Sequence, residues 1–153
     1  MNAFARQSIW FNRVVLGGAT ILFSLIGVRY IADPVGEVAP HAITLGSAEA
    51  ITMMRVSGAV FVGIAAILFA SLFSERRIRD GIAILAVISI AVTAVRIFGL
   101  VVDGAGPFTL KVLKPEIALV LLSTIGFLFE TRRLRGDSRP VSHAMLRMPS
   151  EAR

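Results

Sequence analysis

The sequence predicts an all-α integral membrane protein, an antiparallel bundle of four transmembrane helices. Hydrophobic residues make up 56% of the chain and the mean hydropathy is +0.78, whereas a soluble domain is nearer about 45–50% apolar. The apolar residues fall into four long stretches. With their flanks, these stretches supply the roughly 20 residues that a helix needs to cross the hydrocarbon core.

The arginines indicate how the bundle is oriented. They cluster before the first apolar stretch, between the second and the third, and after the fourth. Basic residues near spans favour the cytoplasmic side, and all three clusters lie on one side only if the number of spans is even. Both termini are therefore predicted to be cytoplasmic.

The first span is predicted at residues 12–31, and the residues before it lead in along the interface, where Trp10 is favoured. Pro34 ends this span, because proline cannot continue the helical hydrogen-bond ladder. A cleaved signal peptide is the alternative interpretation of this segment. Its best cleavage point follows Ala32, where Tyr30 is too bulky for a position that requires a small residue, so we expect the helix to be retained.

The second span is predicted at residues 48–73, with Ser47 as its N-cap. Small residues recur along it and would let another helix approach closely. These residues are Ala59, Gly63, Ala66 and Ala70. We expect the stripe to contact a neighbouring helix, so that leucine at position 63 would overpack the bundle.

The third and fourth spans are predicted at residues 81–102 and 115–130. A short charged turn precedes the third span, which makes spans two and three antiparallel neighbours. A short amphipathic segment at 108–113 precedes Pro115, which suits the first turn of the fourth span because its missing N–H is harmless there. The transmembrane domain is thus residues 1–130. The remaining residues, 131–153, form a basic tail that is predicted to be disordered.

Charged residues lie at matched depth near the outer ends of these spans. Arg96 and Glu116 lie roughly 22 and 21 Å above the cytoplasmic ends of their helices, given the helical rise per residue. Arg29 and Arg55 lie at roughly 24 and 27 Å. The complete candidate cluster is Arg29, Glu49, Arg55, Arg96, Asp103 and Glu116.

An Arg96–Glu116 ion pair is the economical explanation, because an unpaired charge costs about 2.5–3.5 kcal/mol at the centre of a span. Arg29 and Arg55 are close enough to helix ends to snorkel to the headgroups instead. The pair either locks the third helix against the fourth or, with Arg55 nearby, forms a positive site. Such a site would suit an acidic headgroup, a carboxylate or a quinone carbonyl. The residues alone leave both interpretations open.

No catalytic, cofactor or metal site is predicted. The chain contains no cysteine, which excludes thiol redox chemistry and thiolate metal sites. His41 and His143 have no partner at metal-ligand spacing, and no haem or flavin motif is visible. Because the basic residues follow the membrane topology, no nucleic acid partner is expected.

Three features occur together in the chain: Arg55-Val56-Ser57-Gly58, Arg96 with Asp103-Gly104 seven residues on, and Glu116. In this combination, over roughly residues 12–130, the chain resembles the small bacterial membrane proteins grouped as domain-of-unknown-function family 4345. The resemblance implies a four-helix integral membrane protein with no established activity. More coarsely, the helix count and topology resemble DoxX-like four-helix proteins, some of which are linked to quinone-coupled electron transfer.

These expectations converge on a non-enzymatic, multi-pass protein of the bacterial inner membrane, with membrane lipid as a partner. It would be a small lipid- or quinone-binding module or a subunit of a larger complex. The alternative is an auxiliary subunit of a quinone-linked membrane oxidoreductase, in which the quinone approaches Arg55 and Arg96. A small oligomeric transporter is the third interpretation, but pairing with Arg96 would make Glu116 a poor group for proton exchange.

Overall fold

A computed structural model describes residues 3–137, and helices make up most of this range. The helices are α1 (Ala3–Ala32), α2 (Pro34–Val38), α3 (Ala48–Leu72), α4 (Glu75–Val102) and α5 (Pro107–Asp137), with a 3₁₀ turn at Ala39–His41. Helices α1, α3, α4 and α5 are each long and apolar enough to cross a membrane. The predicted all-α fold with four candidate spans is confirmed.

The four long helices pack side by side and alternate in direction. α1 packs most extensively against α3, and α4 packs most extensively against α5, while α1 also contacts α4 and α5. We call one end of the bundle the base; it carries the start of α1, the α3–α4 turn and the end of α5. The opposite end is the top, which carries the connections at residues 33–47 and 103–106.

The buried apolar core lies nearer the base than the top. Its members are Ile9, Leu16, Ala19, Phe23, Ala65, Leu68, Ile78, Ile82 and Leu85. Towards the top, Gly58 is the only buried residue in the first half of α3, and no residue of α4 beyond Thr93 is buried. The outward faces are apolar, with Val101 80% exposed, as expected for helices in contact with lipid.

Helices α1 and α3 cross at a pair of glycines. A Cβ on Gly27 would lie 2.6 Å from the carbonyl oxygen of Gly58, and a Cβ on Gly58 would lie 2.7 Å from the carbonyl oxygen of Gly27. The two backbones therefore touch, and neither position has room for a side chain.

The small-residue stripe on α3 does not make this contact. Gly63 is exposed, and a Cβ placed on it would meet nothing within 4 Å. Ala59, Ala66 and Ala70 are also exposed. The prediction that this stripe packs against a helix is wrong. The crossing occurs at Gly58, and Gly63 lies about 140° further round the helix, so its face points outward.

Two helix boundaries differ from the prediction at α5. The segment at 108–113 is the beginning of α5 itself, and Pro115 lies inside the helix. The missing N–H of Pro115 leaves the carbonyl of Lys111 without its usual helical donor. α5 also continues past Glu130 to Asp137, so residues 131–137 are helical rather than part of a disordered tail. The predicted disorder of residues 138–153 falls outside the described residues.

The other helices begin earlier than the sequence suggested. α1 begins at Ala3 and α4 begins at Glu75. The segment that was expected to lead in along the interface is thus part of α1, and the end of the charged turn before the third span is the start of α4. The start of α3 is as predicted, since the Ser47 hydroxyl accepts a hydrogen bond from the Ala50 N–H over 3.1 Å. This is the N-cap arrangement that satisfies an otherwise unpaired donor.

The connection from α1 to α3 folds back over the top of the bundle. Asp33 caps α2, with its Oδ1 accepting from the Gly36 N–H over 2.9 Å. Pro34 and Val38 within this segment are buried. Midway along the connection, the His41 ring stacks on Phe108 of α5, with ring centroids 4.0 Å apart. The connection thus links the α1–α3 pair to the start of α5.

Candidate functional site

The predicted ion pair between α4 and α5 is confirmed. The Nε of Arg96 donates a hydrogen bond to Oε2 of Glu116 over 2.6 Å. The side chains are 24% and 17% exposed, respectively. A charge-assisted hydrogen bond of this kind is about twice as strong as a neutral one, and partial exclusion of solvent reduces screening. The pair therefore joins the two helices towards the top of the bundle.

Arg96 also lines an open groove on the surface of α4. The groove has a volume of about 420 Å³, and its other lining residues are Ala91, Val92 and Val95. Among residues 3–135, Arg96 makes its hydrogen bond through Nε alone, to Glu116. Its two terminal nitrogens are thus left with donors for another molecule. The arrangement places a fixed cation beside an open apolar surface of α4.

Tyr30 on α1 is a neighbour of this site that the sequence analysis did not single out. Its hydroxyl lies within electrostatic range of Arg96 and of Glu37. Its ring packs edge-on against Phe61 of α3, with centroids 6.1 Å apart. Tyr30 could have been found from the same depth argument, because it lies beside Arg29 and projects a polar hydroxyl from an apolar span.

Arg29 has a different partner from the one that the depth argument suggested. Its NH1 lies 3.8 Å from Oε1 of Glu37 on α2, and the two side chains are 66% and 33% exposed. Exposed pairs at this separation contribute little to stability. Arg29 therefore belongs to the surface at the top of the bundle.

The remaining members of the predicted cluster are exposed. Arg55 and Glu49 lie on the first turns of α3, and Asp103 lies at the end of α4. No ion pair joins any of these three side chains to another residue in the range 3–135. The structure thus brings Arg96 and Glu116 together and leaves the other charges at the surface.

A second polar cluster, which the sequence analysis missed, lies at the base; we call Ser8, Glu75, Glu130 and Arg133 the base cluster. Glu130 is completely buried. It accepts hydrogen bonds from Nε of Arg133 over 3.0 Å and from the Ser8 hydroxyl over 3.4 Å. NH1 of Arg133 lies 3.6 Å from Oε2 of Glu75. The base cluster thus links α1, α4 and α5.

Spacing was the signal that could have revealed this cluster. Glu130 and Arg133 are three residues apart, so they share a helix face if the helix continues through both. A last helix that ends near Glu130, as predicted, would not place the two residues on one helix face. The extension of α5 to Asp137 restores it.

Asn12 is a buried polar residue about one turn from Ser8 on α1. It is fully buried, and its Nδ2 donates to the carbonyl oxygen of Gly126 over 3.2 Å. Its Oδ1 packs directly against Gly126 and has no hydrogen-bond donor among the described residues. A side chain at position 126 would displace Asn12, so this contact also fixes the distance between α1 and α5.

An antiparallel bundle of four apolar helices with an ion pair held between two of them defines a multi-pass membrane protein. The chain belongs to DUF4345, a family of domains of unknown function, whose model matches residues 11–127. The matched range includes Asn12 and the Arg96–Glu116 pair but ends before Glu130. No curated protein and no solved structure matches the chain.

Proposed function

We propose that the protein is a non-enzymatic membrane protein that binds an amphipathic membrane molecule, a lipid or a quinone, in the groove beside Arg96. The observation that carries this proposal is the position of the Arg96 guanidinium. Glu116 fixes it through Nε, and among residues 3–135 no group accepts from its terminal nitrogens, which lie at an apolar groove.

The chemistry of the groove favours a ligand with acceptor oxygens on an apolar chain. A guanidinium offers donors in a planar fork that suits phosphate and carboxylate oxygens, and it can equally donate to a quinone carbonyl. Ala91, Val92 and Val95 offer an apolar surface along which an acyl or isoprenoid chain could lie. Both ligand classes share these two properties.

The Arg96–Glu116 contact argues against the transporter interpretation. A proton-coupled transporter needs an intramembrane carboxylate that can gain and lose a proton. Glu116 is instead engaged by the Arg96 guanidinium, whose Nε lies 2.6 Å from its Oε2. We therefore favour a binding module, acting alone or as a subunit of a larger membrane complex. A quinone-linked oxidoreductase is one such complex.

We also propose that this module resides in the bacterial inner membrane with both termini in the cytoplasm. Support comes from the arginines, which are concentrated at the base, where the described chain begins and ends. An excess of basic residues at the ends of spans favours the cytoplasmic side.

The experiment is to identify what co-purifies with the protein. Wild type and the Arg96→Gln/Glu116→Gln double variant are extracted in mild detergent, and bound lipids and quinones are quantified by mass spectrometry. The double variant avoids leaving one buried charge without its partner. We expect one species to be enriched over the membrane extract in wild type and lost in the double variant.

The matched control is Arg55→Gln, which removes an exposed arginine near the same depth but outside the groove. This variant should retain the enriched species. Enrichment of a quinone or of a phospholipid distinguishes the two ligand classes. An identical profile in all three proteins, matching the bulk membrane extract, would refute the proposal.

A further inference from the structure

The charges of the bundle are distributed unequally between its two ends. The top carries Arg29, Arg55, Arg96, Lys111 and Lys114 together with Asp33, Glu37, Glu49, Asp103 and Glu116, so its formal charges balance. The base, counted to residue 135, carries Arg6, Arg13, Arg76, Arg77, Arg79, Arg132, Arg133 and Arg135 against Glu75, Asp80 and Glu130. The base therefore has a formal net charge of +5.

Two of the three carboxylates at the base form ion pairs with the same arginine. Arg133 is 8% exposed and contacts both Glu130 and Glu75. Five exposed arginines have no ion pair with any residue in the range 3–135. They are Arg6, Arg76, Arg77, Arg79 and Arg132.

Three of these arginines lie near the Glu75–Arg133 ion pair along their helices. It holds the first turn of α4 beside the last turns of α5. Arg76 and Arg132 each adjoin a member of this pair in the sequence, and both are exposed. Arg79 lies one turn along α4 from Glu75, on the same side of the helix. These three exposed arginines therefore mark the base of the α4–α5 edge, each within one turn of a member of the ion pair.

We propose that this edge binds the headgroups of anionic phospholipids. Arg76 and Arg79 flank Ile78 on α4. Ile78 is completely buried in the core, so these arginines lie where the apolar part of the bundle ends. Lipid phosphates lie at this boundary. Guanidinium groups bind phosphate oxygens in bidentate fashion, and basic clusters at the ends of spans attract anionic lipids.

This headgroup site is separate from the Arg96 groove and does not depend on it. The groove lies towards the top, where acidic and basic residues balance, and its ligand would be held by one guanidinium. The α4–α5 edge lies at the base and offers several guanidinium groups in an excess of positive charge. A lipid is favoured over a soluble polyanion because these arginines flank membrane-spanning helices directly.

The test compares lipid retention by the full-length protein and two charge variants. Each protein is equilibrated in mixed micelles of phosphatidylglycerol and phosphatidylcholine, and the bound lipids are counted by native mass spectrometry. Wild type should retain phosphatidylglycerol preferentially, and salt should weaken this preference. In Arg76→Gln/Arg132→Gln the preference should fall about fivefold for each arginine removed.

The matched control is Lys111→Gln/Lys114→Gln, which removes two exposed cations from the top. It should keep the wild-type preference. Arg76→Lys/Arg132→Lys should keep most of it, since the charge remains. Exposed substitutions without partners change stability by about 0.5 kcal/mol or less, so all three variants should fold. If Arg76→Gln/Arg132→Gln does not fold, Arg79→Gln replaces it and should show the fall in preference expected for one arginine.

Either of two results would overturn the proposal. The first is an equal loss of phosphatidylglycerol preference in the top and base variants, or no loss in either. The second is that the base arginines retain heparin, a soluble polyanion, while showing no preference between the two lipids. That second result would indicate a protein or nucleic acid partner instead.

Discussion

The Arg96–Glu116 ion pair should show energetic coupling that a double-mutant cycle can measure. The perturbations are Arg96→Gln, Glu116→Gln and the combined change. Removing one partner of a fully buried pair destabilises a protein by about 3–5 kcal/mol, because the other charge is stranded. The 2.6 Å contact is as close as a buried pair, but the side chains are 24% and 17% exposed. Solvent therefore reduces the effect, and we expect a coupling free energy of about 2 kcal/mol.

The assay is reversible unfolding of the four proteins in a single detergent system, from which the coupling free energy follows directly. The same cycle on Arg29 and Glu37 is an internal control. That pair is 3.8 Å apart and largely exposed, so its coupling should be below about 0.5 kcal/mol. If the Arg96 and Glu116 effects simply add, or couple no more than the control pair, then the ion pair does not hold α4 against α5.

Two further predictions concern packing and topology. Gly58→Leu should destabilise the bundle by about 1–3 kcal/mol or more through overpacking against Gly27. Gly63→Leu on the same helix should melt like wild type in detergent. If Gly63→Leu were instead the less stable variant, the glycine crossing would be contradicted. A reporter fused after Arg139 should be active only in the cytoplasm, and a tag inserted in the exposed connection at 43–46 should be accessible from outside. An externally accessible C-terminus would disprove the proposed orientation.

The number and approximate position of the long helices could be predicted from hydropathy, because a membrane span imposes a minimum length on an apolar stretch. The helix ends were less predictable. Pro115 usually signals a helix start, yet α5 accommodates it in its interior. Beyond Glu130 the sequence becomes polar while the helix continues, since helical propensity does not require an apolar side chain.

The depth of each charged residue along its helix was predictable, but the direction in which its side chain leaves the helix was not. The helical rise fixes how far along a span each charge lies, which is why the Arg96–Glu116 pair could be inferred. The angle at which a side chain leaves the bundle depends on where the helices cross. Gly27 and Gly58 set that crossing for α1 and α3. No feature of a single helix reveals this contact, so Gly63 was assigned to the wrong face.

The Arg96–Glu116 and Glu130–Arg133 ion pairs have different consequences for how the chain enters the bilayer. Glu130 and Arg133 belong to one helix, so α5 carries its own countercharge before it meets any neighbour. Arg96 and Glu116 belong to successive helices separated by the short connection at 103–106. α4 alone would expose an uncompensated guanidinium to lipid. We therefore expect α4 and α5 to be released from the insertion machinery together, as a helical hairpin, and truncation before Glu116 to leave α4 poorly inserted.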